Sequence, residues 1–365
     1  MKRIAVLGAG HGGCAVAGDL TLRGYEVRLY SRSASTLDAI RSRGGIEVVG
    51  AREGFARVPL VTEDLGQAVR GADMLVLVVP STAHEYYAQA LAPLLSGDLP
   101  VFINPGHTGG GLHFVHALRR AGYRGPIRTC ETVTLTYICR LEGPARVAIY
   151  TPTKHLRFAT LPGNALEELR PLIQELYPNV APASSVLETA FLNINAILHP
   201  PGMLLNTGWL EHTGGDFLFY HEAITPAVGR VIAELDQERL AVAKALGIPS
   251  IGILQHFFEA GLTTREAMES GDVSRACRES APNRTIKTPG SLKHRYVDED
   301  VGFGLVPMRE LGHLAGVETP VMDALIDLAS AATGTDFRQE GLTLEKMGLA
   351  GRRPADLPRL LQEGL

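Results

Sequence analysis

The 365-residue sequence predicts an α/β domain of parallel strands followed by an all-α domain. Three observations carry that expectation. Over residues 1–183, short apolar runs rich in branched residues alternate with helical stretches, as strands buried on both faces and joined by crossovers read. From Ser184 onward the apolar spacing is mostly helical and no long strand is evident. The length also exceeds what one hydrophobic core usually serves, so two domains, 1–183 and 184–365, are expected.

Taken in order, RIAVLGAG (residues 3–10) is a buried strand ended by glycines, and HGGCAVAGDLTLRGY continues as a helix that Gly24 stops. YEVRLYSR (25–32) is a second strand and ADMLVLVVP (72–80) a third strong one. Between them, GGIEVVGAREGFARVPLVTED alternates apolar and polar residues around Gly54, the pattern of a small inserted hairpin. LPVFINPG (99–106) is a further strand ending in a Pro-Gly turn, and GPIRTCETVT and ARVAIYTPT add strands up to about residue 153. In the second half, AVGRVIAELDQERLAVAKALG (227–247) and VMDALIDLASAATG (321–334) are amphipathic helices. The cleft between the two halves is the expected site.

Composition narrows the partners. Apolar residues at 45% and charged residues at 20% are ordinary for a soluble globular protein. A formal charge of −4 argues against nucleic acid or an anionic membrane surface as the main partner. The longest aliphatic run, MLVLVV (74–79), is far too short to span a bilayer. MKRIAVLGAG opens like a signal peptide, but glycines interrupt its apolar part and Asp19 follows, so no leader is expected. Cys14, Cys130, Cys139 and Cys277 show no paired or metal-ligand spacing, which fits buried thiols in a reducing cytoplasm.

The glycines after the first strand carry chemistry. Gly8, Gly10 and Gly13 have the G-x-G-x-x-G spacing. Gly8 permits a tight turn, Gly10 lets the backbone approach a pyrophosphate, and Gly13 lets helix and strand pack closely. A strand before the motif and a helix after it supply the context of a Rossmann-like dinucleotide site. An NAD site usually carries an acid at the end of the second strand for the ribose hydroxyls. Here that place reads Ser31-Arg32, with no acid before Asp38, so NADP is expected ahead of NAD. A solvated arginine is the plain alternative for Arg32. Pro80 and His84 close the third strong strand, where the loop faces the nicotinamide end. His84 either caps a helix or contacts ligand there. His107, in NPGHTGGG, either borders the cofactor or serves the turn.

NINAILHPPG (193–202) holds His199 against two prolines. Pro200 disfavours helical geometry at His199, so the ring is expected at a helix break, aimed into the cleft. Imidazole titrates near neutrality and suits acid/base work, although spacing alone allows a core histidine equally. Glu211, His212, His221 and Glu222 follow, without ligand spacing for a metal. Arg295, Asp298, Glu299 and Asp300 form a charge cluster leading into VGFGLVP; a solvated face is the default reading of such a run.

Together these stretches resemble the opine (octopine/nopaline) dehydrogenase family over nearly the whole chain. The resemblance rests on the glycine loop, VVPSTAH, NPGHTGG, YICR, NINAILHPPGMLLNTG, RYVDEDV and GVETPVMDALIDLASAATGTDF. It implies an NAD(P)-dependent oxidoreductase that condenses an amino acid's amine with a 2-oxo acid such as pyruvate and reduces the imine. It also implies a dyad of His199 and Asp300 supported by Arg295, with Asp298 as the competing partner by position. Arginine would either grip a substrate carboxylate or hold Asp300. Small molecules are the expected partners, and a homodimer is compatible with the helical half. One rival is a ketopantoate or glycerol-3-phosphate type reductase. That rival needs a helical-domain lysine, for which Lys244, Lys287, Lys293 and Lys346 offer no matching motif. The other rival is a dinucleotide-binding sensor without catalysis.

Overall fold

The computed structural model describes residues 1–365 and divides into two units. One is Met1–Thr189 together with Pro358–Leu365; the other is Ala190–Leu357. The chain therefore changes unit slightly after the shift in apolar spacing at Ser184. Its last residues return to the first unit, with Leu360 and Leu361 buried.

The strands of the first unit are β1 (Arg3–Leu7), β2 (Glu26–Tyr30), β3 (Ile46–Gly50), β4 (Gly54–Ala56), β5 (Leu60–Thr62) and β6 (Met74–Leu77). They continue with β7 (Val101–Ile103), β8 (Thr129–Thr132), β9 (Tyr137–Gly143), β10 (Arg146–Pro152), β11 (Leu156–Leu161) and β12 (Val180–Pro182). The main sheet has the order β12-β11-β8-β7-β6-β1-β2-β5. From β5 to β8 every neighbouring pair is parallel, as the two-sided burial of runs such as Ile4 to Leu7 requires. The sheet is mixed overall, because β11 runs antiparallel to β8 and carries β12 beside it.

The expected hairpin forms, with β3 antiparallel to β4 and Ile46 opposite Ala56. It is part of something larger. β3 also pairs in parallel with β10, and β10 in antiparallel with β9, giving a second sheet of order β4-β3-β10-β9. The ARVAIYTPT strand thus belongs to this sheet and not to the parallel one. Glycine at 18 lets the helix His11–Leu22 lie close to β3: a Cβ there would meet Val48 Cγ2 at 2.5 Å. That helix ends as the sequence indicates, with Gly24 at φ +89°.

The second unit is helical, its longest elements being Pro226–Ala245 and Pro320–Thr333. Arg239 is fully buried in the former. Its guanidinium donates to Asp236, Ser250 Oγ, the Ile251 carbonyl and the Phe191 carbonyl, so the buried charge is paired and its donors are used. No helix of the protein is long and apolar enough to cross a membrane. All four cysteines are free thiols, and burial pushes Cys14 up to about 12 and Cys139 up to about 11.

Candidate active site

RYVDED becomes the helix Arg295–Asp300, N-capped by His294, whose Nδ1 accepts the Tyr296 N–H at 3.2 Å. On a helix, residues four apart share a face, which sorts the charge cluster. Tyr296 and Asp300 lie on the face that meets His199. Arg295 and Glu299 pair with each other at 2.9 Å. Asp298 sits between them and is only half-buried, with its carboxyl pushed up by burial. Asp300 is therefore the partner: its Oδ2 is 2.8 Å from His199 Nδ1.

The setting of His199 differs from the expected helix break. His199, Pro200 and Pro201 all lie inside the continuous helix Asn195–Leu204. Proline's fixed φ is itself helical; what it removes is the N–H that would bond four residues back. Burial of every residue from Ala196 to Met203 offsets those lost bonds. The ring is consequently placed by its contacts. His199 is 5% exposed and stacks on Tyr296 at 3.7 Å between ring centres, 13° from parallel. Phe219 packs edge-on at 5.6 Å, and Tyr220 Oη lies 3.2 Å from Nε2.

The asparagines of the same signature are structural. Asn193 Oδ1 accepts the Asn195 N–H, starting the helix. Asn206 Nδ2 donates to the carbonyls of Gly202 and Ala223, bracing this helix to the π-helical turn Phe219–Ala223 that carries Tyr220. Gly202 is required there, since a Cβ would sit 2.6 Å from Phe219 Cζ.

Arg295 is half-exposed, with its pair to Glu299 its one ion pair. Its charge is favoured by Glu299 and Asp300 against the cost of burial. Arg295 makes no ion pair with Asp300. His221 and Glu222 bind protein groups, the Ser280 carbonyl and the Leu218 N–H respectively. Lys287 is exposed against Asp216, and Lys346 caps the carbonyls of Gln339, Glu340 and Gly341.

In the first unit the glycine loop has the form a dinucleotide needs. Gly8 has φ +114°, and a Cβ on it would meet the Val78 carbonyl at 2.2 Å. A Cβ on Gly13 would meet the Gly8 carbonyl at 1.9 Å. Gly10 is the opposite case: a Cβ would meet nothing within 4 Å, at a helix start without a side-chain cap. Tight packing at two glycines and open backbone at the third fit a pyrophosphate on the helix N-terminus. Ser31 is buried and its Oγ accepts the Ser33 N–H, while Arg32 is exposed with its guanidinium 5.1 Å over the Tyr86 ring. Pro80 is exposed and starts the turn into the helix His84–Leu91. His84 is fully buried, its ring against Gly110, and His107 is buried in the turn at φ 54°.

Three residues escaped the sequence reading. Tyr220 and Tyr296 needed the folded contacts to be noticed. Glu131 is buried at the end of β8, accepting hydrogen bonds from Gly111 N–H at 2.7 Å and Thr189 Oγ1 at 2.6 Å. A lone acid in the strand stretch GPIRTCETVT was the available signal.

Residues 182–333 match the family described as NAD/NADP octopine/nopaline dehydrogenase, alpha-helical domain, and residues 3–104 match the NAD-dependent glycerol-3-phosphate dehydrogenase N-terminus. The opine dehydrogenase of Arthrobacter sp. (strain 1C) is 38% identical over 98% of each chain. The chain belongs to the opine dehydrogenase family. It is an NAD(P)-dependent oxidoreductase of CH–NH bonds that reductively condenses an amino acid with a 2-oxo acid. Among solved structures, an octopine dehydrogenase with NADH and L-arginine matches at TM-score 0.80 and 21% identity, covering 100% of this chain and 99% of that one. A yersinopine dehydrogenase with NADP+ matches at 0.75 and 18%, covering 100% and 98%.

Proposed function

We propose that His199 is the general acid/base of this opine dehydrogenase, that Asp300 orients it, that Arg295 grips the oxo acid's carboxylate, and that NADP(H) is the preferred nicotinamide. The observation that carries the reading is the 2.8 Å contact between His199 Nδ1 and Asp300 Oδ2. A carboxylate only accepts, so Nδ1 keeps its proton and Nε2 is left to exchange one.

The substrate amine must lose a proton to attack the ketone, and the resulting carbinolamine must lose its hydroxyl as water to become an imine. Nε2 takes the first proton and returns one to the departing hydroxyl, while Asp300 stabilises the imidazolium between the two steps. Arg295 has N–H groups beyond its pair to Glu299 for a bidentate hold on the carboxylate next to the ketone. Gly8, Gly10 and Gly13 would hold the dinucleotide, whose nicotinamide supplies the hydride for the imine carbon when bound. The missing acid after β2 and the presence of Ser31 and Arg32 support NADP. The octopine dehydrogenase relative, with its bound L-arginine, supports an L-amino acid as the amine.

The test is oxidation of NADPH, and separately NADH, with pyruvate in the presence and absence of L-amino acids, with mass analysis of the product. Consumption should require both organic partners and yield a secondary amine dicarboxylate, faster with NADPH at equal low concentration. Consumption with the oxo acid alone would mean a hydroxy-acid dehydrogenase and end this reading.

A further inference from the structure

A surface arginine that is to bind phosphate meets a conflict. Left loose, its long side chain carries rotamer entropy that each ligand must remove. Paired with a carboxylate it is held still, but its donors are spent and its charge is answered within the chain. Arg32, exposed just past the end of β2, is held in a third way. Its guanidinium carbon lies 5.1 Å over the ring of Tyr86. The negative face of an aromatic ring attracts a cation without taking any of its N–H groups. Asp38, the first acid after Arg32, pairs with Arg41 at 3.6 Å, and Glu85, beside Tyr86, accepts from Gln89 at 3.3 Å. Arg32 is thus steadied with its charge and its donors kept.

The ring beneath it is placed by the helix His84–Leu91. Tyr87 and Leu91, four residues apart, are buried on the inner face of that helix, which leaves Tyr86 outward at 41% exposure. Tyr87 meets Tyr86 edge-on at 5.3 Å between ring centres and meets Tyr30 edge-on at 6.0 Å. Tyr30 is the last residue of β2, two before Arg32. The three rings therefore brace the platform to the same strand end that carries the arginine. In a Rossmann-like unit that strand end faces the adenosine ribose, whose 2′ position bears the extra phosphate of NADP.

We propose that Tyr86 is a positioning residue for Arg32, and through it a determinant of dinucleotide choice. Its ring holds the guanidinium ready for a 2′-phosphate, so that part of the ordering cost is met before the ligand arrives. A dinucleotide with a plain 2′-hydroxyl gains nothing from that order. This rests on NADP(H) being the preferred nicotinamide.

The experiment measures the dissociation constants of NADPH and NADH by calorimetry, without organic substrates. It compares wild type, Tyr86→Ala, Tyr86→Leu, Tyr86→Phe, Arg32→Ala and the double variant Arg32→Ala/Tyr86→Ala. Leucine keeps apolar bulk without the aromatic face, which covers the case of an alanine variant that folds poorly. Wild type should bind NADPH more tightly than NADH. Tyr86→Ala and Tyr86→Leu should weaken NADPH about threefold to tenfold and leave NADH within about twofold. Tyr86→Phe, which keeps the ring, should hold both constants within about twofold of wild type. Arg32→Ala should weaken NADPH about tenfold, and adding Tyr86→Ala should cost less than about twofold more, because the ring acts through the arginine. An unchanged NADPH constant in Tyr86→Ala, equal loss of both dinucleotides, or losses that multiply in full in the double variant overturns the positioning role. If Arg32→Ala still loses NADPH selectively, the NADP preference survives that failure; a wild type that favours NADH removes both.

Discussion

At the scale of single residues, two carboxyl groups do opposite things. Asp300 accepts a hydrogen bond from His199 Nδ1–H at 2.8 Å, which in the proposed mechanism leaves Nε2 for the substrate. Asparagine would keep the shape and lose that constraint, since its amide can present either a donor or an acceptor. Asp300→Asn should lower kcat about a hundredfold to ten-thousandfold with NADPH affinity unchanged, read from steady-state rates beside a fluorescence titration of the cofactor. Glu131 is held by Thr189 and Gly111, but burial dominates and pushes its carboxyl from 4.5 up to about 7. Its folded value lies above its unfolded one, so the folded chain holds a proton that the unfolded chain has already released. The stability this gives is present below about pH 4.5 and is lost as pH rises through about 7, amounting to about 3 kcal/mol. Glutamine can still accept from Gly111 and meet the Thr189 hydroxyl. Calorimetry from pH 5 to pH 8 should therefore show the wild-type Tm falling on the order of 6–10 °C relative to Glu131→Gln. Parallel profiles would show that Glu131 is ionised in the fold.

Between elements, the dyad depends on how closely two helical segments approach. Asp300 leads into the π-helical turn Val301–Leu305, and Gly304 of that turn faces Ala196 of the His199 helix. A Cβ on Gly304 would stand 2.5 Å from the Ala196 Cβ, so Gly304→Ala must push the segments apart. The cost should be about 1–3 kcal/mol in urea unfolding, and the double variant Ala196→Gly/Gly304→Ala should be more stable than Gly304→Ala alone. This approach shows what a sequence conveys and what it conceals. β1 and β6 were legible because strands buried on both faces read as unbroken apolar runs. The second sheet was not, because β3 meets β10 across about a hundred residues and no local pattern encodes that pairing. Asp300 could be separated from Asp298 in the sequence only through a family signature, whereas the four-residue helical spacing to Tyr296 supplies the physical reason. Pro200 misled, since proline's cost in a helix is finite and tertiary burial outweighed it. Tyr220 lies 21 residues from His199 with no periodicity to connect them.

For the whole molecule, cofactor loop and dyad belong to different units of the chain, so their contributions are separable by variant. Arg32 lies over the Tyr86 ring just past the end of β2, and its proposed role is toward the dinucleotide. Arg32→Ala should weaken NADPH about tenfold and leave NADH within about threefold, seen as a smaller thermal shift with NADPH only. Equal loss for both would make Arg32 a packing residue and the NADP preference unfounded. The proposed role of the dyad is toward the organic substrates. Its most direct test is kcat/KM of His199→Ala for the oxo acid at saturating amino acid, measured beside the dissociation constant for NADPH. The account predicts a fall in kcat/KM of at least about a hundredfold with the NADPH constant within about twofold of wild type. A His199→Ala protein that condenses amine and oxo acid at near wild-type rates would contradict it.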